Sequence, residues 1–241
     1  MTAYSLSDDT RAKLKKASTA SIATALYRRG LRNQFIQGVT PVSPKAENMV
    51  GQAFTLRYIP AREDRNPITV FRNRDHPQRV AIETCPAGQV LVMDARKDAR
   101  AATAGSILIT RLALRGAAGV VSDGGFRDIA GIGALDMPAY CAGPSAPTNL
   151  TLHEALDINV PISCGDAPVF PGDVLVGDRD GVMVIPAHLA DEIGEECVGM
   201  ELFEDFVLEQ VKAGAAIIGL YPCTEQINQT RYDAWRKTTD R

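Results

Sequence analysis

The stretch Asp123-Gly124-Gly125-Phe126-Arg127-Asp128, which follows the apolar run Gly119-Val120-Val121, decides how the fold is interpreted. A short apolar run that stops at paired glycines predicts a buried strand that ends there. The glycines would let the backbone turn tightly or let a ligand approach closely. Beyond them, a guanidinium can bind a carboxylate through two hydrogen bonds, and the next carboxylate can hold a hard cation. The alternative is a surface turn with an incidental ion pair.

The composition is that of an ordinary globular chain. With 241 residues, of which 45% are apolar and 23% charged, the chain is long enough for a substantial core. The net charge of -3 gives no basic surface for nucleic acid, and no apolar run approaches the roughly 20 residues of a membrane helix. Residues 1–16 lack the apolar core of a signal peptide, and the five cysteines are scattered without a C-x-x-C pair. We therefore expect a cytoplasmic protein that binds neither nucleic acid nor membranes.

Helix and strand patterns alternate on both sides of the opening stretch. The helix that begins at Gly105-Ser106 ends at Arg115-Gly116, and a hairpin is centred on 177–181. The pattern predicts a single α/β domain over 1–241 with helices packed on a mixed sheet, and 187–241 as a C-terminal helical extension. The other predicted elements are helices within 5–30, 129–135 and 187–213, and strands over 49–59, 89–94 and 138–141.

Residues 60–79 form an unusually arginine-rich segment. Charge runs usually face water, so a solvated loop or short helix is the simpler interpretation. The alternative is that one or more of these arginines faces an anionic substrate or a neighbouring subunit. The arginines are Arg62, Arg65, Arg72, Arg74 and Arg79.

Several kinds of chemistry lack their sequence signals. The three histidines are His76 in the arginine-rich segment, His153 at an expected helix start and His188 after Pro186. None has H-x-x-H or H-E-x-x-H spacing, so an all-histidine zinc site is not expected. There is also no G-x-S-x-G elbow, no G-x-G-x-x-G and no Walker loop.

The helix that begins near Ser106 offers a second polar feature beside Arg127 and Asp128. Unpaired N–H groups at a helix N-terminus bind anions. Because this helix precedes the strand that leads to Arg127, an α/β sheet can bring both features to one rim. Anion donors, one guanidinium and one carboxylate suit a small 2-oxo acid whose keto oxygen meets a divalent ion.

Four motifs, taken together and in this order, resemble the RraA-like family. That family includes 4-hydroxy-4-methyl-2-oxoglutarate aldolases and the regulator of ribonuclease activity A. The resemblance extends from about Thr19 to Pro222. The motifs are the segments 104–108, 116–128, 170–173 and 178–186.

The resemblance implies an α/β/β/α swivelling-type sandwich, assembly as homotrimers or homohexamers, and active sites at subunit interfaces. It assigns Asp128 to a Mg²⁺ or Mn²⁺ ion, held largely through water, and Arg127 to the pyruvate portion of the substrate. It also implies that an acidic residue of a neighbouring subunit completes the site, here Glu201 or Glu204. Backbone amides at the helix start would bind the substrate carboxylate, here at Gly105, Ser106, Ile107 and Leu108.

One position departs from the aldolase members, which carry an acidic residue where this chain has Ser106. That carboxylate helps to hold metal-bound water, so its replacement removes one negative charge from the site. A serine can still cap the helix and bind water, but metal affinity should weaken.

The sequence therefore predicts a metal-dependent lyase for a pyruvate-derived 2-oxo acid, acting by retro-aldol cleavage or by oxaloacetate-type decarboxylation. Both reactions pass through an enolate of pyruvate, which a divalent ion and Arg127 would stabilise. A non-catalytic binding protein of the ribonuclease-inhibitor type is the first alternative. A sugar-acid lyase or hydratase that uses the same site is the second, with residues 60–79 binding a longer anionic substrate.

Overall fold

A computed structural model of the chain describes residues 4–45 and 47–238. The helices are α1 (Asp8–Leu14), α2 (Thr19–Arg28), α3 (Pro77–Thr84), α4 (Ser106–Leu114), α5 (Ile129–Gly133), α6 (Ala190–Lys212) and α7 (Gln226–Thr238). The strands are β1 (Thr40–Pro41), β2 (Met49–Pro60), β3 (Gln89–Asp94), β4 (Ala102–Ala104), β5 (Gly119–Phe126), β6 (Ala139–Pro144), β7 (His153–Ile158), β8 (Ile162–Cys164), β9 (Ala167–Val169), β10 (Val174–Gly177) and β11 (Val182–Ile185). Short 3-10 turns lie at Ile68–Arg72, Asn149–Thr151 and Ala187–Leu189.

One mixed sheet contains most of the strands that the described residues form. Its order is β1-β6-β5-β3-β2-β10-β11, with β4 beside β5 and β7 beside β2, while β8 and β9 pair separately. The neighbours β2, β3, β5 and β6 run parallel, whereas β10 is antiparallel to both β2 and β11. The predicted single α/β domain with helices on a mixed sheet is confirmed.

The strands β3, β10 and β11 are largely apolar because both of their faces are covered. In β3, Leu91 and Met93 pack toward α3, α4 and α5, while Val90 and Val92 pack toward β10 and β11. Neighbouring side chains on a strand point to opposite faces, so one run of apolar residues contributes to two cores. The outer faces of β10 and β11 then pack on α1, α2 and α6, which gives two β layers between two helical layers.

The C-terminal helices form a small core of their own. Phe206 on α6 contacts Tyr232 and Trp235 on α7, with ring centroids 5.5 and 5.7 Å from its own. Leu220 and Val207 are the other buried apolar members of this cluster. The division that sets 187–241 apart as an extension stays a prediction, and its last residues, 239–241, lie outside the described part.

The strand β5 corrects the interpretation of the paired glycines. It does not stop at Gly124 but continues through Phe126, and both glycines are buried within it. A Cβ on Gly124 would lie 2.6 Å from the Cβ of Ala95 and 2.8 Å from Cγ2 of Thr103. The glycines therefore admit the protein's own neighbouring chain segments, and the expectation of a tight turn or a close ligand was wrong.

His153 is the second correction, because it begins the strand β7 and not a helix. The segment pairs with β2, and this non-local pairing overrides a local pattern that suits either element. His153 is fully buried, burial lowers its pKa, and Nε2 lies 3.0 Å from the backbone oxygen of Asp98. It is a core histidine.

Candidate functional site

Two parallel strands bring the predicted site residues together. β4 pairs with the last residues of β5, Ala102 beside Gly125 and Ala104 beside Phe126. Parallel strands end at the same edge of a sheet, so the segments that follow them become neighbours. β4 leads into Gly105 and the first turn of α4, while β5 leads directly into Arg127 and Asp128.

Asp128 reaches across to the start of α4. One oxygen, Oδ2, accepts hydrogen bonds from the backbone N–H and the hydroxyl of Ser106, both at 3.3 Å. Asp128 itself has left-handed backbone angles, φ 59° and ψ 42°, which Asp tolerates better than most residues. It occupies the N-cap position of α5 without capping that helix, so its side chain points to α4 instead.

Gly105 is the position that lets these groups approach. A Cβ there would lie 2.9 Å from Cγ and Nε of Arg127 and 2.9 Å from Oδ2 of Asp128. A side chain at this point would push both groups away from the helix start. The glycine at the N-cap of α4 is therefore a packing requirement of the site.

Arg127 and Asp128 remain open to solvent in a single chain. Their side chains are 49% and 53% exposed, and Nε of Arg127 lies 3.9 Å from Oδ2 of Asp128. The backbone of Arg127 is anchored by its N–H, which donates to the carbonyl of Ala104 at 3.1 Å. The backbone is thus held by the sheet while both charged ends are available to a ligand.

These groups border a pocket of about 210 Å³. Arg127, Asp128 and the first turn of α4 line it together with residues of the arginine-rich segment, of α3 and of 148–149. At the first turn, the N–H groups of Ile107 and Leu108 have no acceptor within the helix. The residues lining the pocket are Phe71, Gln78, Arg79, Ala102, Ala104, Gly105, Ile107, Leu108, Arg127, Asp128, Thr148 and Asn149.

Arg79 is the arginine of the 60–79 segment that lines this pocket. Its guanidinium carbon lies 4.6 Å from the centroid of the Phe71 ring, a cation–π contact. Burial, and secondarily the charge of Arg127, lowers the pKa of Arg79. The solvated interpretation holds for other members of the segment, since Arg62 pairs with Asp64 at 2.6 Å on the surface.

Two buried amides also border the pocket, and neither carries a local signal in the sequence. Gln78 and Asn149 are each 2% exposed, and Nε2 of Gln78 donates to the carbonyl of Thr103 at 2.5 Å. Asn149 donates to the carbonyl of His153 at 3.1 Å. Only the burial of a polar side chain marks them, and burial depends on the packing of distant segments.

The acidic residues predicted for a neighbouring subunit lie elsewhere in this chain. Glu201 accepts a hydrogen bond from the backbone N–H of Ser18 at 2.8 Å, and Glu204 accepts one from the Tyr221 hydroxyl at 2.7 Å. Both lie on α6 and neither lines the pocket of its own chain. Their contribution to a neighbouring site stays a prediction.

The donor set for a metal is sparse within one chain. Across the described residues no group of three or more His, Cys, Asp or Glu side chains could hold a metal ion. Asp128 is the carboxylate that lines the pocket, with the Ser106 hydroxyl beside it. Mg²⁺ commonly keeps several waters and binds through one or two carboxylates plus substrate oxygens, so this donor set fits a weakly held, largely hydrated ion.

All five cysteines are free thiols, and four of them are buried. Burial raises the pKa of Cys85 to about 12, as expected for a thiol that packs as a small apolar side chain. Over 4–45 and 47–238, none of the helices combines the length and apolarity that a bilayer crossing requires.

Comparisons with known proteins agree on one family. A family model described as "RraA-like: Aldolase/RraA" matches residues 19–184. A Halalkalibacterium halodurans protein named "Putative 4-hydroxy-4-methyl-2-oxoglutarate aldolase" is 44% identical over 99 residues, 41% of this chain and 47% of that protein. Protein DlpA of Legionella pneumophila is 26% identical over 208 residues, 85% of this chain and 32% of that protein. The chain thus spans about half or less of the length of these two relatives.

Solved structures give the same fold. RraAS2 of Streptomyces coelicolor, described as an unusual member of the RNase ES inhibitor RraA protein family, superposes with a TM-score of 0.73 at 27% identity. That alignment covers 83% of this chain and 96% of the other. An uncharacterized Pseudomonas syringae protein superposes with a TM-score of 0.76 at 23% identity, over 90% of this chain and 98% of the other, and it shows the fold alone.

Proposed function

The chain belongs to the RraA-like family, and on that basis we propose that it is a divalent-metal-dependent lyase for a pyruvate-derived 2-oxo acid. One observation carries the proposal: a guanidinium, a carboxylate and the first turn of a helix border the same open pocket. Relatives named as 4-hydroxy-4-methyl-2-oxoglutarate aldolases support the reaction class.

The residues of the pocket suit the two ends of a 2-oxo acid. The N–H groups of Ile107 and Leu108 bind the carboxylate, because donors at a helix N-terminus favour anions. Arg127 offers a planar fork of N–H donors to the oxygens of the pyruvate portion. Asp128 would hold a hydrated Mg²⁺ or Mn²⁺ ion, and Ser106 donates to the same carboxylate.

Retro-aldol cleavage and oxaloacetate-type decarboxylation both break the bond between C3 and C4 and leave the electron pair on an enolate of pyruvate. A bound divalent ion supplies Lewis acidity that offsets negative charge developing on the enolate oxygen. Arg127 adds a fixed positive charge in the same place. No histidine is among the described residues that line the pocket, so water beside Arg127 is the proposed proton carrier. In retro-aldol cleavage this water would accept the proton of the C4 hydroxyl as the C3–C4 bond breaks, and in both reactions it would return a proton to C3 of the enolate.

We further propose that the chain acts as a homotrimer or homohexamer in the cytoplasm. The side chains of Arg127 and Asp128 are each about half-exposed in a single chain. A neighbouring subunit would cover their exposed surface. Glu201 or Glu204 of that subunit would then add a second carboxylate. Light scattering of the purified chain gives the oligomeric state directly.

The test is pyruvate release from a panel of 4-substituted 2-oxo acids. Wild type and Asp128→Ala are compared with Mg²⁺ or Mn²⁺ and with a chelator. We expect metal-dependent release by wild type and a loss of about 100-fold or more in Asp128→Ala, since one group that stabilises developing charge is removed. Absence of metal-dependent release from every acid would overturn the proposal.

A non-catalytic binding function is the second candidate. Ser106 stands where aldolase members carry an acidic residue, and the fold matches a member of the RNase ES inhibitor family. Binding alone does not require the adjacent Arg127 and Asp128, which makes this candidate the weaker one. A sugar-acid lyase or hydratase that uses the same residues would appear in the same assay when the panel includes sugar acids.

A further inference from the structure

The short helix α5 carries Asp128 at its start and does not determine its own position. It has five residues, Ile129–Gly133, and Ile132 is the residue that it buries. Helices of this length are unstable on their own in water, because few hydrogen bonds offset the cost of ordering the first turn. The position of α5, and with it the position of Asp128, therefore depends on the groups that contact the helix from other parts of the chain.

One such contact joins α5 to the start of α4. The backbone of Gly131 lies so close to Ser106 that a Cβ on the glycine would be 3.1 Å from the serine Cβ. Ser106 is also the residue whose N–H and hydroxyl donate to Oδ2 of Asp128, each at 3.3 Å. Because both hydrogen bonds are already long, a small shift of α5 along α4 would break or shorten them.

The opposite end of α5 is bound by two side chains from the loop that follows β1. The ammonium of Lys45 donates to the carbonyl of Leu135 at 2.5 Å and to the carbonyl of Gly133 at 3.2 Å. The hydroxyl of Ser43 donates to the same Gly133 carbonyl at 3.0 Å. The last carbonyls of a helix have no partner within it, and the helix dipole favours a cation at that end. Lys45 therefore supplies both the donors and the charge that the end of α5 requires.

Lys45 is used differently from the lysines that lie in surface ion pairs. Lys13 pairs with Asp9 at 2.8 Å, and Lys15 pairs with Glu47 at 2.6 Å. Within the described residues, Lys45 has no carboxylate partner, and its two hydrogen bonds are both to backbone carbonyls at the end of α5. An ammonium bound in this way fixes a main-chain segment, whereas an exposed ion pair contributes little to the position of either partner.

We propose that Lys45 is a positioning residue for the candidate site. It anchors the C-terminal end of α5 and thereby keeps Asp128, at the other end of that helix, beside Ser106. Lys45 is not among the residues that line the pocket, so it acts through α5 and not by contact with a ligand. The inference rests on the proposed function, because it takes Asp128 to be part of the chemistry.

The first readout needs neither substrate nor metal. The amide proton of Ser106 donates to Asp128, so its resonance in a TROSY spectrum reports the distance between the two residues. In Lys45→Met, which keeps the apolar stem but loses the donors, this resonance should move toward its position in Asp128→Ala, where the hydrogen bond is absent. Lys45→Arg retains the charge and the donors and should restore the wild-type position. The matched control is Lys15→Met, which removes an exposed lysine and should leave the resonance unchanged.

The second readout is pyruvate release. We expect kcat to fall about tenfold in Lys45→Met, because a displaced Asp128 no longer lies where charge develops. KM should change by less than about twofold, since the donors proposed to bind the substrate stay in place. Ser43→Ala removes one of the hydrogen bonds to Gly133 and should move both readouts in the same direction by a smaller amount. Where circular dichroism shows that Lys45→Met has lost its fold, Ser43→Ala decides by the same two readouts.

The outcomes separate the two proposals. An unchanged Ser106 resonance in Lys45→Met, or a change that Lys45→Arg does not reverse, would overturn the role of Lys45. An active wild type whose kcat is not lowered by Lys45→Met would overturn it as well. A Ser106 resonance that moves in Lys45→Met and returns in Lys45→Arg supports the role even when wild type releases no pyruvate, in which case the lyase proposal alone fails.

Discussion

Asp123 and Asp128 lie five residues apart at one end of β5, and the protein holds them in opposite ways. Asp123 is 1% exposed and accepts hydrogen bonds from three backbone N–H groups, those of Ala95 at 2.6 Å and of Lys97 and Gly165 at 3.0 Å. Asp128 has a half-exposed side chain whose hydrogen bonds are both to Ser106 at 3.3 Å. One carboxylate is buried among three backbone donors, and the other is half-exposed with a single residue as its donor.

The difference teaches which carboxylate is structural and which can bind a ligand. Burial raises the pKa of Asp123, and the three N–H groups oppose that shift. Through these hydrogen bonds, Asp123 connects β5 to the segment 95–97 after β3 and to Gly165 between β8 and β9. A carboxylate that is buried and accepts three backbone hydrogen bonds is out of reach of a metal or substrate. Asp128 is exposed and accepts two long hydrogen bonds, which supports the proposal that it takes part in the chemistry.

The largest expected effect tests the structural half of the comparison. Asp123→Ala leaves three buried N–H groups without an acceptor, each of which carries a desolvation cost. We expect the free energy of unfolding to fall by about 3–5 kcal/mol. Urea titration followed by far-UV circular dichroism measures it, and a loss below about 1 kcal/mol would contradict the structural role.

The next effect concerns Gly124, the first of the two glycines between the aspartates. Gly124→Ala places a methyl group 2.6 Å from the Cβ of Ala95 and 2.8 Å from Cγ2 of Thr103. Both atoms belong to short side chains that cannot swing away. We expect a destabilisation of about 1–3 kcal/mol from overpacking. The matched control is Gly199→Ala in the interior of α6, where a Cβ meets nothing within 4 Å. That change should stabilise by up to about 1 kcal/mol, since alanine favours the helix.

A smaller effect is expected when a second negative charge is placed beside the exposed Asp128. Ser106→Asp puts a second carboxylate beside Asp128, and we expect Mg²⁺ or Mn²⁺ to bind about tenfold more tightly in the presence of a 2-oxo acid. Calorimetric metal titration measures the change, with Ser106→Asn as the uncharged control. Equal affinities for all three forms would show that this position does not contribute to metal binding.

The smallest effect is expected for the stability of Asp128→Ala. Asp128→Ala should change the free energy of unfolding by about 1 kcal/mol or less, because it removes only two long hydrogen bonds from an exposed side chain. Its loss of pyruvate release would then be a loss of chemistry and not of fold. If Asp128→Ala destabilised the protein as much as Asp123→Ala, the distinction between the two carboxylates would be wrong.

Much of the fold was accessible from local signals in the sequence. The helix α4 begins and ends where Gly105 and Gly116 predict, and β3 coincides with the apolar run 89–94. The strand β4 was missed because three small residues carry no periodicity, and β5 was cut short because paired glycines usually signal a turn. Both depend on pairing between distant segments.

The candidate site was predictable only in part for the same reason. Arg127, Asp128 and Ser106 carry local signals, and the structure does bring them together. Arg79 is one of five similar arginines in its segment, and only the packing of α3 against α4 and β7 selects it for the pocket. Buried amides such as Gln78 give no local signal at all.

The aromatic cluster between α6 and α7 determines what fluorescence can report about this protein. Trp235 is the single tryptophan, and its ring lies 6.2 Å from that of Tyr232 in a small core separate from the sheet. Its emission therefore follows the docking of α7 on α6, whereas far-UV circular dichroism follows the whole fold. Coincident unfolding curves from the two probes would mean one cooperative unit, and an earlier fluorescence change would mean that the C-terminal helices detach first.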